Sequence, residues 1–300
     1  MNFFHSRNIR VIIIFCVAIL FVYVCFLNVS VPKKFVRNST FIVNEDESLK
    51  SISSRLRDEN YISSALLFRL MVSFIGQDRH IQLGEYFFDK PLTLNLVVKK
   101  LISQPDVPLI KITLPEGSTT SEIATIIKKS LPDFSTVAFG EKVFTNNAEG
   151  KLFPSTYFLL PSSSEQRIVE IMLSTFEKKY NENFKNEKIP ALLENLNEVV
   201  ILASILEGEV KTEKDMRIVA GVLLSRLKYQ VALQVDAAPE TYKKRGLPVG
   251  PINNPGLKAI SAVFNPEETD YFYYISDKNG TIHYAKTFPE HKENIRKYLK

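Results

Sequence analysis

The hydrophobic and polar positions of this chain change period several times, and the pattern predicts a mixed α+β fold. Apolar residues at helical spacing predict helices beginning near residue 48 and at 63–74, 93–102, 118–127, 168–180 and 213–228. Short apolar or alternating segments predict strands at 41–43, 83–88, 110–114, 271–276 and 281–285. Between the last two strands, Asn279-Gly280 is typical of a type I′ hairpin turn.

One further helix stands out because it is apolar on every side. Residues 199–206 contain a single polar residue, Ser204, and we take Asn197 as the N-cap. Such a run predicts a helix that is buried on most of its surface. It ends in the sequence Glu207-Gly208-Glu209, so two acids follow directly after a buried segment.

Glu207 lies on the same helical face as Val200, Ala203 and Ser204. A carboxyl group in apolar surroundings stays protonated closer to neutral pH, as the general acid of a glycosidase must. From this stretch alone, a helix end whose acids reach water is the alternative.

The first thirty residues contain an uncharged segment at 11–27, preceded by Arg7 and Arg10. Seventeen residues are enough for a short membrane-spanning helix, for which the usual length is about 20. We expect an uncleaved anchor at 11–27, with residues 1–10 in the cytoplasm and a linker at 28–40. A cleaved signal peptide is the alternative, but residues 24–29 offer no small-x-small site. A lipoprotein signal at Cys25 is weak because Val24 is large.

After the linker, the pattern predicts two α+β domains. Residues 41–104 form a small module, and a segment with two prolines at 104–108 separates it from a larger domain at 105–300.

The composition of the chain excludes some classes of function and site. The net charge is +5, and the chain after residue 30 is nearly balanced, which argues against a nucleic-acid partner. Cys16 and Cys25 both lie in the first apolar segment, so the predicted domains contain no cysteine for a disulfide or a metal site.

Several motifs occur in an order that resembles the endolytic murein transglycosylases of the MltG (YceG-like) family. The motifs are Pro115-Glu116-Gly117, Glu149 to Tyr157 (EGKLFPSTY), Ala203 to Glu207 (ASILE), Leu233 to Asp236 (LQVD), Gly246 to Ile252 (GLPVGPI) and Glu290-His291. The resemblance covers nearly the whole chain after the first thirty residues. It implies an α+β catalytic domain whose catalytic acid lies on a buried helix, preceded by a LysM-like module. That module either contacts glycan or acts as a spacer.

The resemblance also implies roles for single residues. Glu207 occupies the position of the catalytic acid. Residues expected to orient or border the sugar are Gln234, Asp236, Tyr242, Asn254, His283, Glu290 and His291. We expect no metal, because the spacing of His283, Glu290 and His291 matches no metal-binding template, and we expect no cofactor. Arg226 either pairs with an acid or points into solvent, and we expect solvent.

The chain departs from the family in three places. Ser155 stands where Asp is common, Ser225 where Asn is usual, and the segment 237–245 is shorter than in typical members. Within it, Glu240 adds a carboxylate for which the sequence indicates no role. These departures motivate an alternative, a glycan-binding scaffold that has lost catalysis. A hydrolase that uses two carboxylates on the same fold is a third hypothesis.

The resemblance therefore implies a single-pass lytic transglycosylase of the bacterial cytoplasmic (inner) membrane, with its catalytic domain outside the cytoplasm. It would cleave the bond between N-acetylmuramic acid (MurNAc) and N-acetylglucosamine in nascent peptidoglycan strands and leave a 1,6-anhydro-MurNAc end. Expected partners are the glycan strands, the membrane and peptidoglycan synthases.

Overall fold

The computed structural model describes residues 15, 17, 19, 31–45, 47–76 and 81–299. The expected anchor at 11–27 falls largely outside these residues. Within the described part of the chain, no helix combines the length and the apolar character needed to cross a membrane.

The first of two compact units extends to Ile110, and its described residues form a three-stranded sheet and, from residue 31 onward, three helices. Its strands are β1 (Ser39–Val43), β2 (Gly84–Phe88) and β3 (Val107–Pro108), and its helices are α1 (Leu49–Asp58), α2 (Ala65–Phe74) and α3 (Leu94–Ile102). The sheet is antiparallel in the order β1-β2-β3, with Phe41 opposite Tyr86. Both side chains are fully buried against apolar residues of the three helices.

The second unit, from Lys111 onward, is a helical core with two small sheets. The first sheet pairs β4 (Ile110–Thr113) with β5 (Thr156–Leu159), and the second pairs β6 (Tyr273–Ser276) with β7 (Ile282–Ala285). Its helices are α4 (Thr120–Ser130), α5 (Thr136–Thr145), α6 (Glu165–Phe184), α7 (Leu196–Glu209), α8 (Glu213–Lys228), α9 (Leu257–Phe264) and α10 (Phe288–Tyr298). The mixed α+β class expected from the sequence is therefore confirmed.

Helix α7 is the centre of this unit, as its composition predicts. Every side chain at 199–206 is buried, and α8 and α9 pack against the helix. The N-cap is Asn195, whose side chain accepts the N–H of Glu198, and not Asn197. The expected cap was wrong because Asn197 already lies in the first helical turn, two residues after the true boundary.

The hairpin between β6 and β7 also differs from the expectation. A type I′ turn needs positive φ at both central residues, but of Asn279 and Gly280 only Gly280, at +81°, has it. Gly280 N–H donates to Asp277 O, and Asp277 N–H donates to Thr281 O. This pattern is a type I turn followed by a left-handed glycine.

Candidate active site

A cavity of about 340 Å³ lies at the C-terminal end of α7. The end of α7, helix α8, the 234–242 segment, strand β6 and helix α10 provide its walls. Its lining residues are Glu209, Arg226, Gln234, Asp236, Tyr242, Tyr274, Ile275, Ser276, His291, Ile295 and Leu299. Four residues that the sequence analysis expected at the glycan, namely Gln234, Asp236, Tyr242 and His291, therefore line one cavity. Glu207 is not among its lining residues.

Glu209 is the last residue of α7 and is half-buried in the cavity wall. Its Oε1 accepts the N–H of Ala237 at 2.7 Å. Burial raises the pKa of Glu209, and the negative charge of Asp236 raises it further, whereas the Ala237 N–H opposes both effects. The sequence left open a helix end whose acids reach water, and for Glu209 that alternative is wrong because the 234–242 segment covers the end of the helix.

Glu207 faces a different part of the unit. Its Oε2 accepts the N–H of Gly256 at 2.8 Å, and its Cγ packs close to Gly117. Burial raises the pKa of Glu207, the Gly256 N–H lowers it, Glu116 raises it and Lys258 lowers it. Glu207 thus has the half-buried setting predicted for an acid, but it lies beside the 115–118 loop and not with the four gathered residues.

The 234–242 segment is held by a buried threonine. Thr241 Oγ1 accepts the N–H of Val235 at 3.0 Å and donates to Ala238 O at 2.7 Å. With these hydrogen bonds in place, Asp236 and Tyr242 are exposed at the opening of the cavity, where the Tyr242 hydroxyl donates to Asp236 Oδ1 at 2.6 Å. Because of that hydrogen bond, the pKa of Tyr242 rises to about 12. The pair therefore presents a fixed carboxylate and a neutral phenol to the cavity.

Asn254 has a structural position in place of the expected contact with sugar. It is buried, its Oδ1 accepts the N–H of Leu152 at 2.8 Å, and its Nδ2 donates to Ser118 O at 2.9 Å. The main chain of Asn254 also exchanges hydrogen bonds with Gly117 and Ser118. Because its side chain is buried and joins two main-chain segments, we correct its assignment as a substrate-binding residue.

His283 and Glu290 lie apart from the cavity lining. His283 Nε2 is 3.0 Å from Asp277 Oδ2, and its ring stacks on Tyr298. Glu290 is exposed and accepts the N–H of Lys286 at 2.9 Å, beside the cap of α10. Both side chains are engaged in local structure, and the structure does not bring them together with His291.

Arg226 was expected to point into solvent, and that expectation was wrong. The side chain is 4% exposed, with Nε donating to Phe272 O at 2.9 Å and Nη1 donating to Leu233 O. Two main-chain carbonyls replace the water that we expected around the guanidinium. In the sequence, Arg226 follows the apolar positions of α8, and an arginine beside such positions can be buried with main-chain carbonyls as partners. The sequence does not show which loops provide those carbonyls.

A larger cavity, about 570 Å³, lies between α8 and the segment 266–270. None of the site residues expected from the sequence lines it, so volume does not identify the site here. Among the residues that the structure describes, no group of three or more His, Cys, Asp or Glu is arranged to hold a metal ion.

Comparison with known proteins agrees with the motif order. The model of the YceG-like family matches residues 41–240 and 240–297. A Bacillus subtilis (strain 168) protein named endolytic murein transglycosylase is 27% identical, and the match covers 84% of this chain and 82% of the relative. A Streptococcus pneumoniae serotype 2 protein of the same name is 24% identical, and the match covers 89% of this chain and 59% of the relative. A crystal structure of a yceG-like protein from Listeria monocytogenes has a TM-score of 0.55 at 24% identity, over 86% of this chain and 98% of that one, and supports the fold.

Proposed function

Because this chain belongs to the YceG-like family, we propose that it is a lytic transglycosylase that cleaves peptidoglycan strands at internal bonds. The observation that carries the proposal is the cavity in which a half-buried acid, Glu209, meets Gln234, Asp236, Tyr242 and His291. An open cavity with a few convergent polar groups and a carboxyl of raised pKa is what a general-acid site requires. A scaffold without catalysis would not need this combination.

We assign the proton donor to Glu209 in place of Glu207. Both carboxyls have a raised pKa, so electrostatics alone does not separate them. Their positions distinguish them, because only Glu209 lines the cavity together with the residues expected to hold the sugar. Glu207 stays the alternative donor.

The reaction needs one acid and no water. Glu209 would protonate the glycosidic oxygen as its bond to C1 of MurNAc breaks. The 6-hydroxyl of the same MurNAc then attacks C1 and returns its proton to Glu209, so the acid is regenerated. Gln234, Asp236 and Tyr242 would orient the ring by hydrogen bonds. The product ends in a 1,6-anhydro sugar.

A hydrolase is the second candidate, favoured by one observation. Asp236 lines the same cavity as Glu209, and a glycoside hydrolase normally uses two carboxyl groups. We favour the transglycosylase because Tyr242 already occupies one oxygen of Asp236 at the cavity mouth.

Mass spectrometry of digested strands tests the proposal. An anhydro end is about 18 mass units lighter than a reducing end, since no water enters the product. We expect anhydro-MurNAc ends formed within the strands, and no loss of rate in EDTA. Reducing MurNAc ends as the main product would instead support the hydrolase, with Asp236 as its second carboxylate.

We also propose the setting implied by the sequence. Residues 11–27 would anchor the protein in the bacterial cytoplasmic (inner) membrane by a single pass, with the catalytic unit on the extracytoplasmic side. The module at 41–104 would be LysM-like and contact the glycan strand. Peptidoglycan synthases are the expected protein partners.

A further inference from the structure

Two residues that line the cavity at the end of α7 each carry a buried polar atom with no hydrogen-bond partner among the described residues. The two atoms are the hydroxyl oxygen of Tyr274 on β6 and Nδ1 of His291 on α10. Burying a polar atom without a partner costs free energy, so such atoms are rare and point to a ligand that satisfies them. The mechanism proposed above uses neither atom.

The two atoms differ in what they can offer. The Tyr274 hydroxyl is a donor at neutral pH, since burial keeps its pKa far above the ordinary phenol value. Burial and the positive charge of Arg226 lower the pKa of His291, so its ring is neutral at neutral pH. A neutral imidazole can accept a hydrogen bond at Nδ1 when the proton is on Nε2. Together the atoms form one donor and one acceptor.

Apolar side chains lie beside this pair. Ile295 follows His291 by four residues on the same face of α10, Leu299 comes directly after the end of that helix, and Ile275 of β6 also lines the cavity. The wall thus combines a donor, an acceptor and a surface that suits a methyl group.

Charge restricts the ligand further. Asp236 brings a carboxylate to the cavity, Glu209 is neutral there as the proposed proton donor, and Nε and Nη1 of Arg226 are already bound to main-chain carbonyls. The cavity therefore disfavours an anionic group such as a carboxylate. A neutral group with a carbonyl, an N–H and a methyl fits, and the acetamido substituent of an N-acetylated sugar has these three parts.

We propose that Tyr274 and His291 form a subsite for the acetamido group of one sugar of the substrate. Tyr274 donates to the acetamido carbonyl, His291 accepts its N–H, and Ile275, Ile295 and Leu299 contact its methyl. The inference rests on the proposed function, because it names what the same cavity recognises in a glycan strand.

Binding of two neutral β-1,4-linked tetramers tests the subsite. One is the tetramer of N-acetylglucosamine, and the other is the tetramer of glucose, which has a hydroxyl in place of each acetamido group. By NMR titration or calorimetry, we expect the wild-type protein to prefer the N-acetylated tetramer. Tyr274→Phe should weaken binding of that tetramer by about threefold to tenfold, the range expected for one hydrogen bond, and leave the glucose tetramer unchanged.

Tyr157→Phe is the matched control. The Tyr157 hydroxyl is also buried, but it donates to Phe153 O at 2.5 Å. Its removal should lower the melting temperature and leave binding unchanged. Tyr274→Phe should weaken binding and leave the melting temperature equal or higher, because the hydroxyl that it removes has no hydrogen-bond partner among the described residues.

Two results would overturn the subsite: equal affinity of the wild-type protein for both tetramers, or an equal loss for both in Tyr274→Phe. These results are independent of catalysis, because binding needs no turnover. A protein that prefers the N-acetylated tetramer through Tyr274 but cleaves no strand would leave the subsite in place and refute the transglycosylase. A protein that cleaves strands but does not prefer the N-acetylated tetramer would support the transglycosylase and refute the subsite.

Discussion

Glu207 and Glu209 lie two residues apart at the end of α7, and replacing each of them separates the two candidate acids. Glu209→Gln keeps the size and the hydrogen bond from Ala237 but removes the proton, so the rate of strand cleavage should fall by at least about 10²-fold. Glu207→Gln should cost far less, since Gln can still accept the N–H of Gly256. Initial rates on purified peptidoglycan provide the measurement.

The pair of variants is its own control, because the two residues belong to the same helix and have similar electrostatic settings. If Glu207→Gln causes the larger loss, the acid is Glu207 and the cavity has only a binding role. Melting temperatures measured alongside show whether either variant fails to fold.

The pH profile provides a second test at the residue scale. A general acid must be protonated, so kcat/KM should fall as the pH rises through the pKa of Glu209, which is raised above the ordinary value. Asp236 contributes to that increase, and Asp236→Asn should therefore move the falling limb to lower pH. Glu116→Gln is the control, because Glu116 acts on Glu207 and should leave the limb in place. A limb that moves with Glu116→Gln and not with Asp236→Asn would assign the acid to Glu207.

The residue scale also shows where sequence reasoning stops. Helical spacing correctly placed Glu207 at the end of a buried helix, with a raised pKa. It could not show that the segment after Leu233 folds back over the last turn and encloses Glu209 instead of leaving it in water. That outcome depends on Thr241, whose hydrogen bonds close the segment, and no periodicity reports on them.

At the scale of elements, we expect replacement of two helical glycines by alanine to change the stability of the protein in opposite directions. A Cβ added to Gly221 on α8 would overlap the main-chain carbonyl oxygen of Glu267, which belongs to the loop packed on that helix. Gly221→Ala should therefore destabilise the protein by about 1–3 kcal/mol, as overpacking does. A Cβ added to Gly140 on α5 would meet no atom within 4 Å from the other described elements, so Gly140→Ala should stabilise by up to about 1 kcal/mol through helix propensity alone.

Chemical denaturation of the two variants checks this pair. Alanine has the same intrinsic preference for a helix at both positions, so a difference between the variants measures the packing of α8 against the loop. Equal stabilisation of both would mean that the loop around Glu267 moves away without cost.

Elements with a strong period were predictable, and weakly patterned ones were not. Helix α8 begins and ends where the sequence indicates, at Glu213 and Lys228. Helix α5 was missed because Gly140 interrupts it and because Val137 and Phe144 are exposed apolar residues that blur its amphipathic pattern. Helix α9 was missed because it has only eight residues and follows Pro255-Gly256, which is typical of a turn.

At the scale of the whole molecule, the sequence predicts that the protein is associated with a membrane. If residues 11–27 form an uncleaved anchor, the full-length chain should stay in the membrane fraction after washing with salt or carbonate and should be released by detergent. A soluble mature form that begins near Asn28 would contradict this prediction. Residues 31–300 alone are the control and should appear in the soluble fraction.

Asn254 has a consequence for the order in which the second unit can form. Its hydrogen bonds join Ser118 and Leu152, which lie 136 and 102 positions earlier in the chain. During synthesis, the main-chain groups of Ser118 and Leu152 cannot form these hydrogen bonds until Asn254 has left the ribosome. Contacts of such long sequence separation fold slowly and leave apolar surface exposed in the meantime, here that of α7. A nascent chain arrested before residue 254 should therefore be sensitive to protease throughout this unit, and release of a few dozen more residues should protect it cooperatively.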